Sequence, residues 1–246
     1  MTRISTLPYI TVELEGRPLQ EEDVQALGKV RIQQRLSMPT LCELSFFEPA
    51  GSLGDASLQP VGSALRILVR GNNTPLFVGQ VTAVEYAYDS SRGRVVHVRG
   101  YDLLHRLRKR QEVRVFVQMT PADLARELVA DLGIKVSESV SDPLWQRMVQ
   151  HRQSDLDFLV EVAERSGQFM TLRGDVLHVM TLDGLGDEVP LVLGESLMEA
   201  SMEINGDPAC RSVTTSGWDP WRVEHHEGRV KTARVGRKVA VNVPPD

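Results

Sequence analysis

Over residues 9–102 apolar and polar positions alternate with a period of two, the spacing that turns one face of a strand to a core and the other to water. The run "YITVELEG" opens the pattern and "RPL" turns the chain. "KVRIQQRLSMPTLCELSFFE" then holds two alternating runs around a loop at Pro39. "ALRILVRG" stops at Gly71-Asn72-Asn73, which is turn chemistry. "LFVGQVTAVEYAYD" and "RVVHVRGYD" flank "SSRG", where Gly93 can take the positive φ of a hairpin turn. Six or seven strands at short spacing, with no helix among them, predict a small antiparallel barrel or sandwich.

After Asp102 the period changes. "LLHRLRKR" reads as a short helical or looped connector and "EVRVFVQM" as another strand. Thr120-Pro121-Ala122-Asp123 then opens a helix, with Thr as N-cap, Pro in the first turn and an acid near the positive end of the dipole. Leu124, Leu128 and Leu132 recur on one face, and Gly133 ends the run. A second helix begins at Ser154, which caps it with Asp155 and Asp157 in its first turn, and ends at Gly167. Leu156, Leu159, Val160 and Ala163 form one apolar stripe and Phe158 with Val162 a second, so this helix should be covered on more than one side. "QFMTLRGDVLHVMT" is a hairpin around Arg173-Gly174-Asp175. Residues 110–195 therefore read as a compact α+β unit.

From Met198 the period-two pattern returns. "MEASMEING" and "CRSVTTSGWD" flank the turn Asn205-Gly206-Asp207-Pro208, and the stretch aligns with residues 81–102. Ala200 falls on Ala83, Arg211 on Arg94 and Val213 on Val96. Gly217-Trp218-Asp219 falls on Gly100-Tyr101-Asp102. Two readings follow: one strand ending built twice, or two unrelated hairpins that each end in Gly-aromatic-Asp. In both copies the glycine would permit a bend or a close backbone approach, and the aspartate would cap the turn that follows.

Composition narrows the partners. The chain has 246 residues, enough for two or three compact units with a core of their own. A net charge of −5 gives no nucleic-acid footprint. Cys42 and Cys210 stand apart with no CxxC partner, so two free thiols are expected rather than a disulfide framework. The start "MTRISTLPYI" lacks the apolar core of a secretory signal, and no run is long enough to span a membrane. A chain made in the cytoplasm, with no membrane span, is the expectation.

Catalytic chemistry needs a convergent site, and the sequence offers no constellation with suitable spacing. His225 and His226 are adjacent, so their side chains diverge, and a surface loop is expected there. Asp155 and Asp157 serve a helix start. The basic run His105–Arg110 lacks interleaved aromatics and reads as a solvated face. No cofactor or metal is implied.

The order of these parts resembles the hub proteins of contractile injection machines, a family that includes phage late-control and tail-hub proteins and the VgrG-like spikes of type VI secretion. "RQSDLDFLVEVAERSG" carries the resemblance most specifically, and "RGYDLLHRL" next. It implies a mainly β structural protein with an α+β insertion, in which two related antiparallel, tube-like β-barrels flank a small α+β domain. The corresponding boundaries are 1–109 for the first hub barrel, 110–195 for the α+β domain and 196–246 for the start of a second, incomplete barrel. The resemblance further implies a homotrimer acting as a symmetry adaptor in a baseplate hub. Its six barrels would meet a hexameric inner tube protein on one side, with a spike or spike-tip protein on the other and baseplate wedge components around. Such a protein is assembled in the cytoplasm and ends in a phage tail or injection particle. It needs no cofactor and no nucleic acid. Gly100, Tyr101, Asp102, Gly217, Trp218, Asp219, Ser154, Asp155, Asp157, Phe158 and Val162 are the structural or interface candidates. A tail-associated cell-wall hydrolase or carbohydrate-binding β protein is the alternative, and a cleft with paired acids would favour it.

Overall fold

The computed structural model describes residues 10–55, 60–69, 74–90, 93–138, 143–182, 186–201 and 212–231. The chain divides into two units, Met1–Val179 and Met180–Asp246. The fold is mainly β with a few helices.

The first unit opens with strands β1 (Ile10–Leu14) and β2 (Arg17–Pro18), a short helix α1 (Glu21–Ala26), and strands β3 (Leu27–Gln33) and β4 (Leu41–Phe47). Strands β5 (Ala64–Val69), β6 (Phe77–Asp89) and β7 (Gly93–Tyr101) follow. Every pairing is antiparallel, in the order β2-β1-β5-β6-β7-β4-β3. Alternation along each strand builds the core: Cys42, Leu44 and Phe46 from β4 meet Leu65 and Ile67 from β5 and Val96 and Val98 from β7. Each such side chain removed from water contributes roughly 1.5–3 kcal/mol. Burial also pushes the Cys42 thiol up to about 12, which keeps it protonated. Cys210 lies outside the described residues.

Closure is the point where expectation and structure part. Among the described residues the sheet is open, ending at β2 on one side and β3 on the other, rather than a closed barrel. A register shift between Val81 and Ala83 marks a bulge in β6, the feature that increases local twist. Helix α1 is an unforeseen element. Its Asp23 is fully buried and accepts from Ser52 Oγ (3.2 Å) and Leu53 N (3.3 Å), holding the 51–53 loop against the sheet.

A 3-10 turn, Leu103–Lys109, leads from β7 into the α+β part. There β8 (Arg114–Met119), α2 (Pro121–Val129), β9 (Lys135–Glu138), β10 (Trp145–Gln150), α3 (Asp155–Arg165), β11 (Phe169–Arg173) and β12 (Val176–Met180) follow. Both helices start as their caps require. Thr120 and Asp123 form a reciprocal capping box, and Ser154 Oγ accepts from Asp157 N at 3.1 Å. Gly133 takes the left-handed φ of +68° that stops the α2 segment. β8 and β10 pair as a two-stranded ribbon, and β11-β12-β9 form a second sheet in which β12 and β9 run parallel. Leu124, Leu128, Leu159, Ala163, Met170 and Leu177 lie in one continuous core between them. Ser37 joins the two parts of the unit, donating from its amide to Met170 O (2.7 Å) and accepting from Met170 N on Oγ (3.3 Å).

Among the described residues, the second unit shows one hairpin, β13 (Val213–Asp219) and β14 (Glu224–Val230). The expected pairing of 198–204 with 211–217 falls largely on residues outside those described. Residues 198–201 carry no strand, 202–211 lie outside the described residues, and β13 pairs forward with β14. The β13–β14 hairpin turns at Asp219-Pro220, where Asp219 Oδ1 accepts from Trp221 N (2.8 Å) and Arg222 N (3.2 Å) and reverses the chain. His225 and His226 belong to β14 rather than a loop, exposed and pointing to opposite faces.

Candidate interaction sites

The end of β7 is built around Asp102. Its carboxylate is buried and accepts from Thr40 N on Oδ2 (2.7 Å) and from Leu104 N on Oδ1 (3.0 Å). Its own amide donates to Thr40 O (3.1 Å), while its carbonyl accepts from His105 N (3.1 Å). The residue thus ties the start of β4, the end of β7 and the following turn to one point. Burial raises its pKa from 3.8 to about 6, although the Thr40 and Leu104 hydrogen bonds and Arg108 pull it back. Tyr101 is half-buried beneath the Arg108 guanidinium, 5.4 Å from the ring centroid. Gly100 sits where a Cβ would stand 2.9 Å from both Gln80 O and Leu65 Cδ2, so only glycine fits without movement.

The later copy does one of these jobs. Asp219 caps its turn as Asp102 does, by accepting from the amide two residues on. Around Gly217 there is open space, with nothing within 4 Å of a notional Cβ. Trp218 is 59% exposed and Trp221 94%. Val213, Val223 and Val230 are exposed as well. A two-stranded hairpin with neither face buried is marginal in water, so this surface is one that gains from being covered.

Of the α3 candidates, Asp155, Phe158 and Val162 lie inside, Ser154 is half-buried and Asp157 faces out. Asp155 is 1% exposed and binds the Arg114 guanidinium and Gln150 Nε2 (2.8 Å) through Oδ1. Ser154 donates to Asp157 Oδ2 at 2.7 Å, and Asp157 itself is exposed. Phe158 stacks on Phe116 of β8, with centroids 5.6 Å apart and planes at 23°. Phe158 and Val162 are both buried in the unit's own core, so the second apolar stripe is covered within the same chain, Phe158 by the β8–β10 ribbon.

The sequence reading missed the ribbon's outer face. With Phe116 and Met148 paired inward, Val115 lies opposite Val149 on the outside, and Val117 follows. These valines and Val113 are exposed. Alternation in "EVRVFVQM" contains the signal, because Val113, Val115 and Val117 share one face while the face that turns Phe116 inward carries Glu112, Arg114 and Gln118, so the apolar face is the one left outside. Among the described residues no three His, Cys, Asp or Glu side chains gather as a metal site would need, and no helix is long and apolar enough to cross a membrane.

The profile of the Alg8 N-terminal domain family matches residues 55–238, most of the chain. The chain belongs to that family. No curated protein matches the sequence. Among solved structures, the 43 kDa tail protein of prophage MuSo2 from Shewanella oneidensis superposes with a TM-score of 0.65 at 19% identity, over 95% of this chain and 73% of that one. A tail protein from Neisseria meningitidis gives 0.63 at 15%, over 83% of this chain and 63% of the other. An Escherichia coli component of the type VI secretion system, structurally similar to the bacteriophage T4 tail proteins gp27 and gp5, gives 0.56 at 11%, over 85% and 56%. What is shared at these identities is the fold, which is that of phage-tail and type VI secretion proteins.

Proposed function

We propose that the chain is a non-enzymatic hub component of a contractile injection machine, a homotrimer that adapts a hexameric inner tube to a trimeric spike. The observation that carries this reading is the uncovered apolar surface on a tail-protein fold. Trp218 and Trp221 stand on a hairpin with no core of its own, and Val113, Val115, Val117 and Val149 line the outside of a two-stranded ribbon. Surfaces of this kind suit assembly. Around a threefold axis the contacts are heterologous, so each chain offers two different patches to its neighbours.

On this reading residues 1–109 are the first hub barrel, curled further in the particle than in the isolated sheet. Residues 110–195 are the α+β domain, and 196–246 begin the second barrel, whose hairpin is completed by neighbouring strands. The protein then resides in a phage tail or injection particle, among tube, spike and wedge components. Electron microscopy of assembled particles tests this. Three copies between tube and spike are expected, and six copies at the tube's tip would contradict it.

A further inference from the structure

Beside the Tyr101 end of β7 lies an open depression of about 600 Å³ whose lining includes Val61, Tyr101, His105, Arg106, Arg108 and Lys109. No carboxylate is among its lining residues. The three long cations are exposed. Arg66, Arg99, Arg110, Arg114 and Arg126 all meet carboxylates within 4.0 Å, but among the described residues no such pair forms at 106, 108 or 109. Two carboxylates do feel the cluster: Asp102, buried and held by backbone amides, and Asp131, bound by Arg110. His105 reports the local charge, its imidazole held below the usual range by burial and then by Lys109, Arg106 and Arg108.

Cations in the last turn of a 3-10 segment complement its negative end. That accounts for their presence on Leu103–Lys109, but not for their gathering around one concavity with Val61 and Tyr101 and no acidic partner. We propose that this depression is a docking site for an acidic peptide segment of a partner protein, with Arg106, Arg108 and Lys109 receiving its carboxylates and Val61 an adjoining apolar side chain. Nucleic acid fits less well. The chain is net acidic, at −5, the Tyr101 ring in the lining already lies under Arg108, and the His105 ring beside it is buried. A site of this kind serves the protein in any oligomeric state.

The test is fluorescence anisotropy of the full chain with a labelled peptide of repeating Glu-Leu-Glu. Comparison ligands are the same peptide with Gln for Glu, inorganic phosphate and a single-stranded oligonucleotide. Saturable binding that weakens as salt rises is expected. Arg108→Gln with Lys109→Gln should lose roughly tenfold or more in affinity, since charge-assisted contacts are removed, while Lys109→Arg should bind as the parent does. The His105 imidazole should titrate at a higher pH once the peptide's carboxylates are bound. Should the double variant fail to fold, Lys109→Gln alone replaces it, with a smaller loss expected. No saturable binding overturns the proposal. So does equal affinity for the Gln peptide, affinity unmoved by the substitutions, or tighter binding of phosphate or the oligonucleotide.

Discussion

Thr40 and Asp102 hydrogen-bond in both directions: the Thr40 amide donates to the Asp102 carboxylate at 2.7 Å, and the Asp102 amide donates to the Thr40 carbonyl at 3.1 Å. Removing the side chain leaves the amides of Thr40 and Leu104 buried without it. Each such loss costs about 1–3 kcal/mol. Asp102→Ala should therefore destabilise the first unit by roughly 2–5 kcal/mol, read as a fall in the urea midpoint at unchanged slope.

The same carboxyl makes stability depend on pH in an uncommon direction for an acid. Its folded pKa of about 6 lies above the ordinary 3.8, so the folded state holds the proton more tightly than the unfolded chain. The stabilisation is fully present below about 3.8 and is lost as pH rises through about 6. Unfolding free energies of the parent and Asp102→Asn, compared across that window, should differ by up to roughly 3 kcal/mol between its ends, with the parent gaining toward acid. A difference that stays flat with pH contradicts the assignment.

Asp155 is held at the start of α3 by Arg114 and Gln150, beneath the surface. Removing the buried carboxylate takes a charge-assisted partner from Arg114, which is part-exposed and keeps Glu112, and one acceptor from Gln150. Asp155→Ala should cost about 1–3 kcal/mol, measured by chemical denaturation, whereas Asp157→Ala on the exposed side should cost about 1 kcal/mol or less.

Phe158 lies on Phe116, so Phe158→Ala should cost about 3–5 kcal/mol. A double-mutant cycle with Phe116→Ala should give a coupling of about 0.5–1.5 kcal/mol. Phe158→Asp should prevent folding of the α+β part, not merely its assembly, and circular dichroism of the purified variant distinguishes the two.

How much of this was legible depended on how local each signal is. Thr120, Pro121 and Ser154 announce helix starts because a cap is satisfied by amides two or three residues away. The long β6–β7 hairpin was equally readable, since its alternation and its Gly93 turn are adjacent in sequence. Strand β10, "WQRMVQ", has no clean alternation, and its partner β8 lies some thirty residues earlier, so pairing across that gap left no local trace. The resemblance of 198–219 to 81–102 spans residues outside those described, and what the structure adds is a forward partner for β13. Alternation shows that a strand forms without choosing its partner, and the Asp219-Pro220 turn supplies one partner, β14.

Glycine gives a direct check on whether the two strand endings play the same part. Gly100→Ala should destabilise the isolated chain by about 1–3 kcal/mol, because its Cβ would crowd Gln80 and Leu65. Gly217→Ala should be close to neutral there, where nothing lies within 4 Å. If neighbouring strands cover the second hairpin in the assembled hub, Gly217→Ala should instead weaken assembly, seen as a raised dissociation concentration of the oligomer.

The mass of the purified full protein in solution, measured by light scattering over a range of concentrations, tests the hub account most directly. The account predicts three copies per particle, with contacts burying well over about 1,000 Å² each. Substituting Trp218 and Trp221 by serine should lower that mass while the first unit stays folded. A species that remains monomeric at every concentration, and monomeric again within the assembled particle, would contradict it.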